Sequence, residues 1–176
     1  MNVTLKRIEL ILLALAPACL SLILFILSVV PSSIWGLNLF MPLLTLMPIF
    51  YWGRLQNNEM PYWFVFIIGV LTDAVSWQML GLSSLLYLIF TSLLHSQSKY
   101  INKEGFIIVW GLFSVLTSGL AILQWLLISL LSHQVQSIIP ALTQLLITIA
   151  IYPLFHRLFD VISEYIRQRR WIILHR

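Results

Sequence analysis

Phe64-Val65-Phe66-Ile67-Ile68-Gly69-Val70-Leu71-Thr72-Asp73-Ala74-Val75 reads as a segment that would enter a bilayer without help, were it not for one carboxyl group. Translocon-type scales put a mid-helix Asp at roughly 2.5 to 3.5 kcal/mol, so Asp73 asks for a packing, capping or functional reason. Gly69 precedes Asp73 by one turn on the same helix face, so a bare patch of backbone adjoins the carboxyl group. That face is expected to point into protein. At ~1.5 Å per residue from Pro61, Asp73 sits roughly 18 Å along the segment, past the midplane of a bilayer.

The rest of the chain shares the apolar character of this stretch. Its 176 residues are 60% hydrophobic and 9% charged, and the mean hydropathy is +0.97. Such a composition points to an all-α integral membrane protein and leaves no segment for a separate soluble core. Runs long enough to cross a hydrocarbon layer of about 30 Å fall at 8–30, 34–52, 61–78, 82–98, 106–131 and 138–155, six spans in a single domain of residues 1–176. The fourth run reaches Ser98 only by including polar residues, and the fifth is long enough to tilt.

Charge sets the expected orientation. Lys6 and Arg7 precede the first span, Arg54 follows the second, Lys99 and Lys103 follow the fourth, and Arg157, Arg167, Arg169, Arg170 and Arg176 follow the sixth. All therefore lie on one side, which the positive-inside rule makes cytoplasmic, with both termini there. The connections around 31–33, 79–81 and 132–137 are short and uncharged. Trp35 at an outer edge, and Tyr51, Trp52, Tyr62, Trp63 and Tyr100 near inner edges, suit interfacial anchoring. A formal charge of +4 is then a topology signal; scattered over loops, it does not form the stripe that nucleic acid requires. Ala16-Pro17-Ala18-Cys19 loosely resembles a processing site, but cleavage there would cut a full span, so the first span is expected to stay intact.

Polar residues inside the spans are few. Uncharged candidates to meet Asp73 are Tyr87, Gln124, Gln144 and Thr148. Gly111, Ser114, Ser118 and Ala121 recur at spacings of three and four, a pattern that suits close helix packing or a partner's helix. Gln144, Thr148 and Tyr152 share a face in the sixth span, and Pro153 follows, tolerated where a neighbour supplies hydrogen bonds. Within a basic cytoplasmic tail of residues 156–176, the stretch from Asp160 to Arg176 reads as a helical continuation, whose arginines and Trp171-Ile172-Ile173-Leu174 suit contact with an anionic inner leaflet. His95, His133, His156 and His175 stand at span ends or in loops without an acid or cysteine at ligand spacing, so neither a metal site nor a catalytic set is expected.

Pro48-Ile49-Phe50-Tyr51-Trp52, Gly69-Val70-Leu71-Thr72-Asp73, Leu80-Gly81-Leu82, Tyr87, Gln144 and Tyr152-Pro153, in this order and spacing, resemble the bacterial rod shape-determining protein MreD family. Trp77-Gln78-Met79 departs from the small residues frequent there. The resemblance implies a non-enzymatic, cofactor-free subunit of the cell-elongation complex in the bacterial inner membrane. Its implied partners are MreC, and in the same assembly MreB, RodA and a class B penicillin-binding protein. It also implies a fold similar to the six-helix substrate-binding component of energy-coupling-factor transporters. The competing reading is a transport subunit for a small hydrophobic or vitamin-like ligand. Such a component usually carries ligand-binding polar residues in its outer loops, which here are minimal.

Overall fold

A computed structural model describes residues 9, 13, 15–28, 43–55, 60–76, 80–101, 104–132 and 137–174. The regular structure among them is α-helical: α1 (Leu15–Ser28), then α2 (Leu46–Gly53), α3 (Tyr62–Ser76), α4 (Leu82–Ile101), α5 (Phe106–Leu131) and α6 (Ile139–Leu174). Of span 34–52, residues 43–52 are described, and from Leu46 on they form the short helix α2. Span 138–155 falls in α6, which continues into the tail as a helix, as expected, 36 residues in all. Among the described residues two helices, α5 and α6, are long and apolar enough to cross a membrane.

The bundle is organised around α2. Every residue from Leu46 to Trp52 is buried, as befits a helix that is apolar all round. It packs against α4 and α6, α5 closes against both of those, and α3 pairs with α4. Phe50 lies at the centre. Its ring meets Phe113 at 5.1 Å and Tyr152 at 5.7 Å edge-on, and Phe90 at 6.1 Å, while Phe113 and Tyr152 stack at 4.0 Å. Edge-to-face and offset contacts are the arrangements that aromatic quadrupoles favour. This interior corrects the expectation for Tyr51 and Trp52, which are 3% and 1% exposed and so are core residues instead of interfacial anchors. Tyr62 and Trp63 do face outward.

Pro153 lies inside α6. Proline has no N–H, so the carbonyl four residues earlier, that of Ile149, loses its helical donor. The Trp110 indole of α5 donates to that carbonyl at 3.1 Å, joining α5 to α6 at the break in the ladder. Trp110→Phe is expected to destabilise the protein by about 1 kcal/mol, toward the lower end of the cost of leaving a carbonyl unpaired because this one is part-buried. In a Pro153→Ala background, where Ile149 regains its donor, the loss is expected to shrink. A double-mutant cycle on thermal unfolding in detergent measures this, and equal losses in both backgrounds would separate the indole from the proline.

Lys6, Arg7, Trp35, Lys103, His133, His175, Arg176 and the side chains of Lys99 and Tyr100 lie outside the described residues, as do Trp77, Gln78 and Met79.

Candidate functional site

Two polar constellations stand out from the apolar bundle, one at the α3–α4 connection and one where α2 meets α6. The first joins the end of α3 to the start of α4. Because five residues separate these helices, the last turn of one is forced against the first turn of the other. A helix start leaves N–H groups without intrahelical acceptors. Asp73, fully buried, takes up two of them: Gly81 N–H donates to Oδ2 at 2.8 Å, and Ser83 N–H donates to Oδ1 at 3.0 Å and Oδ2 at 3.1 Å. The positive end of the α4 dipole adds to the attraction.

Asp73 is thus a cap supplied from a neighbouring helix. The expected cross-bundle partners are not those the structure selects. Tyr87 lies close by, but its hydroxyl pairs with Thr72, which itself donates to the Ile68 carbonyl. The Thr148 hydroxyl accepts from the Leu43 N–H at 2.9 Å, ahead of α2, and donates to the Gln144 carbonyl. It therefore serves the start of α2 and not Asp73.

Gly81 adopts φ +100°, a left-handed conformation that side chains with a Cβ resist. That turn is what aims its N–H at the carboxylate. Leu80 beside it is 74% exposed and takes no part in the contact. Gly69 provides the other half of the joint. A Cβ built there would collide with Ser84 Cα and would lie 2.7 Å from Ser84 N. The Ser84 hydroxyl, buried at the crossing, donates to the Phe66 carbonyl at 3.3 Å. Sequence reasoning pairs Gly69 with Asp73 but misses Ser83 and Ser84. The signal available is their position, two small polar residues in the first turn after Gly81.

The second constellation ties the end of α2 to α6. Tyr51 donates to Asp160 Oδ1 at 2.7 Å, and the guanidinium of Arg54 lies 3.9 Å from the same oxygen and 4.7 Å over the Tyr51 ring. His156 Nδ1 donates to Asp160 Oδ2 at 3.0 Å. The sequence places Arg54 at the inner leaflet; in the structure its side chain is only 11% exposed and belongs to this internal cluster. This corrects the expectation that no histidine has an acid at ligand spacing: Asp160 stands four residues after His156, on the same helix face, and the two pair.

Burial, and then the positive charge of Arg54, hold the His156 imidazole below its ordinary value, against the opposing pull of Asp160. The folded state therefore keeps His156 neutral where the unfolded chain, with a value near ~6.5, takes up a proton. Its contribution to stability is complete above that unfolded value and is lost as pH falls through the lowered folded one. Melting temperature in nanodiscs is expected to drop between pH 7.5 and 5, and His156→Gln is expected to flatten that drop; an identical slope in the variant would assign it elsewhere.

The remaining site expectations fall differently. On α5 the inward stripe is Val109, Phe113, Thr117 and Leu120, not the small-residue row. Gly111 faces open space, with nothing within 4 Å of the point where a Cβ would stand, and Ala121 is half-buried. Ser114 and Ser118 donate to the carbonyls one turn back, of Trp110 and Ser114. In the tail, Arg167 pairs with Glu164, Arg169 donates to the Tyr165 hydroxyl, Arg170 reaches the Leu13 carbonyl at 3.4 Å, and Arg157 is exposed. Phe159, Ile166 and Ile173 are buried, so that face of the tail packs on protein and is not available to lipid. Among the described residues no group of three or more His, Cys, Asp or Glu is placed to hold a metal ion.

What the two constellations can do chemically is hold helices at fixed separations. The first is a closed hydrogen-bonded joint, while the second leaves the buried His156 Nε2 without a hydrogen-bond partner among the described residues. The family comparison accords with that character: the family described as rod shape-determining protein MreD matches residues 9–162. The chain belongs to the MreD family. The match takes in Gly69, Asp73, Gly81, Tyr87, Gln144, Tyr152 and Pro153, together with the Arg54 and Asp160 cluster. No curated protein and no solved structure matches the chain. Membership in MreD carries a role in rod shape determination, and this family is known by that role and not by an enzymatic activity.

Proposed function

We propose that this MreD-family chain is a six-span subunit of the bacterial inner membrane with both termini in the cytoplasm, folded like the substrate-binding component of energy-coupling-factor transporters. It works without catalysis or cofactor. It binds MreC, and through the assembly that also holds MreB, RodA and a class B penicillin-binding protein it organises lateral peptidoglycan synthesis.

The observation that carries the reading is the family match across residues 9–162. Three structural features support it. The basic side chains that are described follow α2, at Arg54, or stand in the second half of α6, at Arg157, Arg167, Arg169 and Arg170. The polar groups are spent on helix joints, at Asp73 and at Asp160. The centre is filled by the rings of Phe50, Phe90, Phe113 and Tyr152, which favours a structural subunit over the carrier of a small ligand.

Depletion in a rod-shaped host carrying this protein is expected to give rounded cells, with rod form restored by the wild-type chain. Affinity purification from native membranes is expected to bring down MreC. Depleted cells that stay rod-shaped would remove the elongation reading, and intact rods with a small molecule bound in the purified protein would favour the transport one.

A further inference from the structure

The buried end of α2 carries an unmatched donor. Trp52 is 1% exposed, and its ring packs against Tyr51 and Phe159, with centroids 5.2 and 5.0 Å away. Its indole Nε1–H nevertheless has no acceptor among the described residues. Tryptophan N–H groups find an acceptor in most buried settings, and one left without bears its full desolvation cost. Trp52 also lines a cleft between the end of α2, the start of α3 and the second half of α4, together with Gly53, Met60, Tyr62, Thr91 and His95. The cleft has a volume of about 10 Å³, room for one water-sized group. The Thr91 hydroxyl donates elsewhere, to the Tyr87 carbonyl at 2.8 Å. The chemistry that fits this cleft is a single acceptor oxygen.

Two observations choose among the sources of such an oxygen. Among the described residues no Lys or Arg lines the cleft, and an anionic oxygen taken out of water without a cation is costly, so a neutral oxygen fits better than a phosphate. The cleft also stands where an acyl chain reaches it. Trp52, Tyr62 and His95 lie at or within three residues of the inner ends of the apolar runs 34–52, 61–78 and 82–98, the level at which hydrocarbon gives way to headgroups. Tyr62 on the cleft wall and Phe66, one turn further along α3, are 44% and 48% exposed, so an apolar track leads from the cleft toward the middle of the bilayer. At that level a phospholipid presents a neutral acceptor, the ester carbonyl at the head of each acyl chain.

We propose that this cleft seats an acyl ester of an inner-leaflet phospholipid, its carbonyl oxygen accepting from Trp52 Nε1–H and its chain lying along Tyr62 and Phe66. A lipid held in this way fixes the depth of the α2 end in the leaflet. The inference rests on the subunit reading only for the placement of these helix ends at the inner leaflet.

The test titrates the full chain, purified in detergent, with dioleoylphosphatidylglycerol or with its dioleyl diether analogue, which keeps the headgroup and chains but has no carbonyl; native mass spectrometry counts the bound lipid. The diester is expected to bind its tightest site about threefold to tenfold better than the diether, the effect of one hydrogen bond. Trp52→Phe is expected to remove that preference, and excess inorganic phosphate to displace neither lipid. A second measurement leaves Trp52 in place: with a photo-cross-linker at Tyr62, nanodiscs holding the two lipids in equal amounts are expected to yield mainly the diester adduct, whereas the same group at the exposed Trp63 labels both alike. Equal binding of the two lipids, as when water fills the cleft, overturns the proposal. So does a preference that persists in a folded Trp52→Phe chain, displacement by inorganic phosphate, which would assign a free anion, or the same labelling ratio at Tyr62 and Trp63. Rod-shape complementation is scored separately: a chain that complements but shows no ester preference fails this inference and leaves the subunit reading standing.

Discussion

Gly69→Ala is expected to disrupt the α3–α4 joint despite adding a single methyl group. The new Cβ would overlap Ser84 Cα and approach Ser84 N to 2.7 Å, and neither atom is the end of a flexible side chain that could swing aside. The helices would have to separate, and overpacking of this kind costs typically about 1 to 3 kcal/mol. Separation also stretches the hydrogen bonds from Gly81 and Ser83 to Asp73, so the upper part of that range is expected. Gly69→Leu should abolish accumulation in the membrane. Thermal unfolding in detergent and complementation of rod shape read the two effects. A control separates a backbone clash from a side-chain one: Ser84→Ala removes only the hydroxyl and should not rescue Gly69→Ala. Full rescue would show that the helices touch through the Ser84 hydroxyl alone.

The second large effect belongs to Asp73. Asp73→Leu keeps the approximate size and leaves two donors without acceptors, the Ser83 N–H in a buried site and the Gly81 N–H in a part-buried one. At about 1 to 3 kcal/mol for the buried donor and less for the one nearer water, the loss amounts to roughly 2 to 4 kcal/mol, a large share of the stability of a marginally stable bundle. Asp73→Asn retains one accepting oxygen but turns an amide NH2 toward the second donor, so an intermediate loss is expected. The order wild type, Asn, Leu should appear both in melting temperature and in the amount of MreC recovered on purification. Equal loss from Asn and Leu would mean that the negative charge is itself required. Near-normal behaviour of Leu would mean that the α4 start finds other acceptors.

The two joints differ in how far the sequence reveals them. Gly69 and Asp73 announce themselves because each is anomalous where it stands, a bare backbone and a costly carboxyl group within an apolar run. Their partners are a matter of short-range geometry, since the brief connection after α3 lays the first turn of α4 against Asp73. That proximity is available to sequence reasoning, which looks instead to polar side chains on distant helices. Backbone donors leave no mark in a sequence: any residue other than proline could have stood at Ser83 and offered the same N–H. The cluster around Asp160 is less legible. Arg54 reads as a loop charge until tertiary packing folds the end of α2 against α6 and buries it. Likewise, Pro153 reveals that Ile149 must lack a donor, but only the fold shows that Trp110 supplies one.

Composition and periodicity alone determined that this chain is helical and apolar enough for a membrane, where its long apolar runs fall, and that Asp73 and Gly69 are constrained. Those properties follow from transfer free energies and from the 3.6-residue repeat, which each segment expresses by itself. Tertiary structure decided which residues satisfy which. It made Tyr51 and Trp52 core instead of interface, turned Asp73 into the cap of α4, moved Arg54 inward to Asp160, and buried Phe159 and Ile166 of the α6 tail against the rest of the chain. Hydrogen-bond satisfaction in an apolar medium is a property of pairs, and pairs between segments far apart in the chain exist only once the helices have met.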